Sequence, residues 1–114
     1  MENCLFCKIV KKEIPAKIVF EDEKVLAFED INPAAPVHIL IVPKSHIGSL
    51  NELDESRTEL LKPLFLAAKQ IAAEKGIDKT GYRTVFNTGS GAGQTVFHLH
   101  LHLLGGRSFA WPPG

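Results

Sequence analysis

The chain has 114 residues, 45% of them apolar, and its 13 basic side chains are matched by 13 acidic ones. That length supports one domain with its own core and excludes two of ordinary size, so residues 1–114 are expected to form one unit. The even charge excludes the basic surplus that grips a nucleic-acid backbone, and neither a signal-like run in "MENCLFCKIV" nor the roughly 20 apolar residues of a membrane span is present. The expectation is a soluble, cytoplasmic protein with no nucleic-acid or membrane partner, whose ligand is small and held in a pocket.

Taken from the N-terminus, Cys4 and Cys7 are the only cysteines. In a chain read as intracellular, their spacing points to metal ligation or redox work before a structural disulfide. "LFCKIVKKE", closed by Ile14-Pro15, predicts a brief helix or turn over residues 5–13. In "KIVFEDEKVLAFEDI" two apolar runs, Ile18 to Phe20 and Val25 to Phe28, flank a charged turn and predict a hairpin. "NPAAP" breaks the chain before "VHILIVP", a continuous aliphatic run expected as a well-covered central strand that Pro43 ends.

From Asp54 the period changes. Leu60, Leu61, Leu64, Phe65, Ala68, Ile71 and Ala72 recur at steps of three and four. This predicts an amphipathic helix of about five turns, with Asp54 or Ser56 as N-cap, Gly76 as the stop, and Pro63 near its first turns or kinking it. "YRTVFN" reads as a strand, "TGSGAGQ" as a glycine loop, "TVFHLHLHLL" as the strand leading out of it, and "GGRSFAWPPG" as a tail without a period. The sum is an α+β domain: a mainly antiparallel sheet of about five strands, one main helix and a short N-terminal helix.

Three of the five histidines, His98, His100 and His102, alternate with leucines. As a helix the run would put His98 and His102 on one face and His100 elsewhere. As a strand it puts all three imidazoles on one face, and strict alternation after Thr95-Val96-Phe97 favours the strand. Successive residues on a face are then about 6.6 Å apart and the outer two about 13 Å, so no single ion holds all three, although two plus a third ligand could hold zinc. A row of imidazoles beside a glycine loop suits phosphoryl or nucleotidyl transfer, since neutral histidine is a nitrogen nucleophile and glycine lets backbone N–H groups approach phosphate. The loop alone is a weak signal: it lacks Gly-Lys-Ser/Thr, and glycines at 89, 91 and 93 are wrongly spaced for a dinucleotide turn.

"GQTVFHLHLHLLGG" carries His-φ-His-φ-His-φ-φ, with φ apolar. With "FEDINPAAPVHILIVPKSHI", "NTGSGAGQ" and "GGRSFAWPPG" in the same order, nearly the whole chain resembles the histidine triad superfamily, and within it the nucleotide-binding branch of purine nucleoside phosphoramidases. The resemblance implies that His100 is the nucleophile that forms a nucleotidyl-histidine intermediate on the α-phosphorus. It also implies that His102 contacts phosphate oxygens, that His38 completes the cluster, and that Thr95, where relatives carry serine, donates to the leaving amine. Asp30 matches the ribose-binding acid, Asn87, Gly93 and Gln94 the phosphate side, and Phe6, Ile14, Phe28 and Ile31 the base pocket. Without the resemblance Asp30 reads first as a turn residue before Asn32-Pro33, and the four apolar residues first as core.

Cys4 and Cys7 need two more ligands for a structural zinc site, and His46 and His98 are the candidates. That set resembles the zinc-bearing members of the superfamily; unligated thiols or a redox pair are the alternatives. The resemblance further implies a homodimer with one continuous ten-stranded sheet, in which Trp111 shapes the leaving-group side of the partner's pocket. A sister branch hydrolyses dinucleoside polyphosphates, but "WPPG" and "FEDINPAAPVH" fit the phosphoramidase side better. A metal-dependent hydrolase and a nucleotide-binding scaffold are the remaining readings.

Overall fold

The computed structural model describes residues 3–114. Cys4 starts α1 (Leu5–Val10) by accepting the Cys7 N–H on its sulfur. The hairpin of β1 (Ile18–Glu21) and β2 (Val25–Glu29) turns at Asp22, whose carboxylate accepts the N–H groups of Lys24 and Val25 at 2.8 Å. There follow β3 (Val37–Pro43), α2 (Leu61–Glu74), β4 (Tyr82–Val85) and β5 (Leu101–Gly105). The strands lie in the order β1-β2-β3-β5-β4, each neighbouring pair antiparallel.

Side-chain alternation divides the sheet into two working faces. Val25, Ala27, Ile39, Ile41, Leu101 and Leu103 pack with Leu64, Ala68 and Ile71 of α2. Leu26, Phe28, Leu40 and Val42 point the other way and pack with Phe6 and Ile9 of α1. Cover on both faces is why β2 and β3 read as unbroken apolar runs. By the same parity His38 belongs to the α1 face, and the pairing of Leu40 with His102 brings the β5 imidazole beside it.

Two elements differ from the sequence-based expectation. The long helix begins at Leu61, preceded by a 3-10 turn at Thr58–Leu60, and spans 14 residues. Asp54 caps the turn before it, accepting from the Arg57 N–H at 3.0 Å and the Ser56 hydroxyl at 2.7 Å. Starting at Leu61 places Pro63 third in the helix, where its missing N–H would have had no partner anyway. Gly76, at φ +74°, does end it. The second difference is that the strand expected from Thr95 starts only at Leu101. Upstream, the groups a ladder would use are engaged elsewhere: the Leu99 N–H donates to the Ile47 carbonyl at 2.7 Å and the His98 carbonyl accepts from the His100 ring at 2.7 Å. The alternation survives, with Leu99, Leu101 and Leu103 all in the α2 core.

Candidate active site

On the α1 face lies a cleft of about 490 Å3, within the range of small-molecule sites. Its apolar wall comes from Leu5, Phe6 and Ile9 of α1, Ile14, Phe28, Ile31 and Leu40; its polar end carries Asp30, Thr95, His100 and His102. The Phe6 ring stands edge-on to Phe28 at 5.4 Å and to His100 at 5.0 Å. Ile31 is 92% exposed, so it rims the cleft, whereas Phe6 and Phe28 are buried in its wall.

Backbone partners fix the proton on each imidazole, because a carbonyl can only accept and an amide N–H can only donate. His100 Nδ1 faces the His98 carbonyl at 2.7 Å and therefore carries the proton, which leaves a lone pair on Nε2. The Ala34 N–H donates to His38 Nδ1 at 3.0 Å, so the proton of neutral His38 sits on Nε2. That Nε2–H donates to His102 Nδ1 at 2.9 Å, which leaves His102 with its own proton on Nε2. Burial holds His38 and His100 below the usual imidazole range, and burial together with the neighbouring His100 and His38 rings brings His102 down to about 4. At neutral pH the cleft therefore presents one imidazole lone pair and, beside it at a ring separation of 4.9 Å, one imidazole N–H.

Asp30 serves two purposes. Oδ1 accepts the Asn32 N–H at 2.8 Å, the turn role, while Oδ2 lies 3.5 Å from His38 Nε2. Asp30, His38 and His102 bring three donor atoms within 4.8 Å of one another. As a metal site the trio would need the His38 nitrogen that holds the proton; Asp30 and His102 both face that one nitrogen, so the trio is a set of hydrogen-bond partners around the His38 N–H.

The loop residues are placed differently. Gln94 is buried and turned inward: its amide donates to the Gly48 carbonyl at 2.8 Å and the Val96 carbonyl at 3.1 Å, and its oxygen accepts the Gly89 N–H at 2.9 Å. Any contact of Gln94 with a ligand thus falls to its backbone. Asn87 stands beside Gly93, which has φ +96°, and neither lines the cleft. Trp111 is 82% exposed and so does not cap this chain's own core. Sequence reasoning missed the Ala34 amide and the Pro43 carbonyl, both backbone groups that set a histidine's tautomer; the "NPAAP" segment signalled only a break. It also missed Leu5, Pro15, Ala16 and Lys17 at the cleft.

Residues 3–109 match the family model described as "Scavenger mRNA decapping enzyme C-term binding", a histidine-triad-like family. The chain belongs to the histidine triad superfamily. An uncharacterized HIT-like protein of Synechococcus elongatus is 57% identical over 99% of this chain and 98% of its own length. The crystal structure of a HIT family hydrolase from Legionella pneumophila superposes with a TM-score of 0.96 at 55% identity, over 98% of this chain and 100% of that one. A 14 kDa zinc-binding protein of Zea mays is 53% identical over 96% of this chain and 87% of its own.

This histidine triad protein also brings Cys4, Cys7, His46 and His98 together, all four donor atoms within 4.8 Å of one another. His98 Nε2 donates to the Pro43 carbonyl at 2.8 Å, which leaves the Nδ1 lone pair for the cluster. That Nδ1 lies 3.4 Å from Cys4 Sγ, 3.5 Å from Cys7 Sγ and 3.2 Å from His46 Nδ1. A tetrahedral zinc with ordinary bond lengths separates two nitrogens by about 3.3 Å and a nitrogen and a sulfur by about 3.6 Å. The donor set and its spacing therefore fit zinc. Burial pushes the Cys7 thiol up and the His98 ring down to about 4, as a dry pocket does to groups that carry charge.

Proposed function

We propose that the chain is a nucleotide-binding hydrolase that cleaves the P–N bond of adenosine (purine) 5'-monophosphoramidates. The observation that carries this reading is the pair of opposite tautomers in the cleft: a lone pair on His100 Nε2 beside an N–H on His102 Nε2. His100 Nε2 attacks the α-phosphorus, the P–N bond breaks, and the amine leaves with a proton supplied through the Thr95 hydroxyl. Water then attacks phosphorus, its proton passes to solvent, and the P–Nε2 bond breaks to release the nucleoside monophosphate and free His100. His102 donates to a phosphate oxygen, and His38 holds it in the donating tautomer. The wall of Phe6, Ile14, Phe28 and Ile31 takes the base, Asp30 accepts from the ribose hydroxyls, and the Asn87–Gly93 loop lies toward the phosphate. Zinc held by Cys4, Cys7, His46 and His98 serves structure, and the working form is a homodimer to which the partner's tail contributes at the leaving-group side.

The deciding experiment is hydrolysis of an adenosine phosphoramidate by the wild type and by His100→Ala, each at saturating substrate with and without a strong chelator. Turnover is expected to survive chelation and to fall by about 10^3-fold or more without the His100 nucleophile. An inert wild type, or a His100→Ala variant that keeps its rate, would sink the reading.

A further inference from the structure

We propose that zinc in the Cys4/Cys7/His46/His98 cluster and nucleotide in the cleft bind cooperatively, with Phe6 as the positioning residue that couples them; this rests on the zinc and nucleotide assignments made above. Phe6 stands between the two thiols in sequence, on a helix of six residues. A helix that short does not hold itself in water, so its position depends on what its side chains meet. Cys4 and Cys7 face the cluster, while Leu5, Phe6 and Ile9 of the same helix wall the cleft. The Phe6 ring stands against both regions, 6.0 Å from His98 and 5.0 Å from His100. Drawing the two sulfurs onto a metal therefore also fixes the ring against which a base would lie.

The His100 ring, though Phe6 packs on its edge, has a second support of its own. The His98 ring is tied to the Pro43 carbonyl at 2.8 Å, and the next residue, Leu99, donates its N–H to Ile47 at 2.7 Å. These bonds hold the His98 carbonyl where it orients His100, whether or not the sulfurs are drawn together. Metal removal is thus expected to loosen α1 and weaken nucleotide binding while leaving the reactive imidazole in place. Binding free energies are reciprocal, so nucleotide must tighten zinc by the same factor that zinc tightens nucleotide.

The test is a pair of titrations on the full chain: AMP into zinc-loaded and chelator-stripped protein, and zinc against a competing chromophoric chelator with and without saturating AMP. Stripping is expected to raise the AMP dissociation constant about tenfold, and AMP to tighten zinc by a matching factor. KM for a phosphoramidate should rise in step, with kcat held within about twofold. Because Cys7→Ser could unfold the N-terminus, the informative variant is Phe6→Leu, expected to keep zinc and lose the linkage. Equal AMP affinity with and without zinc, or a collapse of kcat at unchanged affinity, would overturn the coupling and leave the proposed function standing. Failure of the protein to bind zinc, or to bind AMP, overturns the corresponding assignment and the coupling with it, and the separate titrations show which.

Discussion

A neutral imidazole has two nitrogens and one proton, so a backbone partner at one nitrogen decides what the other can do. The Ala34 amide keeps the proton of His38 on Nε2 and thereby the proton of His102 on its outer nitrogen. On the proposed mechanism His38→Ala releases that tautomer and is expected to lower kcat about 10^2-fold by weakening the His102 donor, with the KM for nucleotide little changed. On the proposed mechanism the pH dependence follows from His100, which would attack only when unprotonated. Burial places it below the ordinary 6.5, so the acidic fall of kcat/KM should lie at lower pH than that of an ordinary imidazole. Stability has the same sign. His102 titrates near 6.5 when unfolded and at about 4 when folded, so between those values the unfolded chain binds more protons. Its contribution is complete above 6.5 and is lost as pH falls toward 4, and the melting temperature at about pH 5 should lie below that at about pH 7. That His38, His100 and His102 would share one face could be read from "HLHLHLL" and "PVHILIV"; their proton positions could not. Those depend on the Ala34 amide and the His98 carbonyl, and no residue type signals where a backbone group will point.

At the scale of elements, periodicity was informative wherever one face of a segment is buried. The leucines of 99, 101 and 103 declared their face because α2 covers it, whereas the unbroken run of β3, covered by α2 on one side and α1 on the other, marked burial but not which residue meets which helix. Element ends were less legible, since β5 starts only after the Leu99 N–H and the His98 carbonyl, engaged by the Ile47 carbonyl and the His100 ring, a pairing no residue type announces. The end of β5 is tightly constrained as well. A Cβ on Gly105 would lie 2.6 Å from Ile77 Cδ1 and 3.0 Å from its Cβ and Cγ2, so the clash reaches the branched root of the side chain. Gly105→Ala is expected to destabilise the fold by about 1–3 kcal/mol, measurable as a lower midpoint in urea at unchanged m-value.

For the whole molecule, β4 is the outer strand beside β5, and an outer strand leaves ladder groups unpaired. Tyr82 on that edge and Phe65 and Leu66 on α2 are exposed. A second cavity of about 700 Å3, lined in part by Tyr82, Arg83, Arg107 and Phe109, opens at the same edge. Two guanidiniums lie over the Phe109 ring, Arg83 at 5.0 Å and Arg107 at 4.3 Å, which anchors the start of the tail there, and Trp111 beyond it is exposed. On the dimer reading, pairing of β4 with its copy covers this edge and directs each tail to the other subunit. Light scattering should then give twice the 12.5 kDa of the chain, and a single-chain mass at micromolar concentration would refute the dimer. Sequence pattern supplied these apolar residues but not which of them stand exposed, because the strand order that leaves β4 outermost follows from long-range pairing.

The inward turn of Gln94 bears on how a ligand arrives. A loop of Gly89, Gly91 and Gly93 would be slack if left to itself, yet one buried amide ties it to Gly48, Gly89 and Val96. Being already shaped, the loop has no ordering step to complete on encounter and gives up little chain entropy there. On the proposed function, with this loop lying toward the phosphate, the loop adds no ordering step to nucleotide capture, and the observed rate is expected to climb in proportion to ligand concentration.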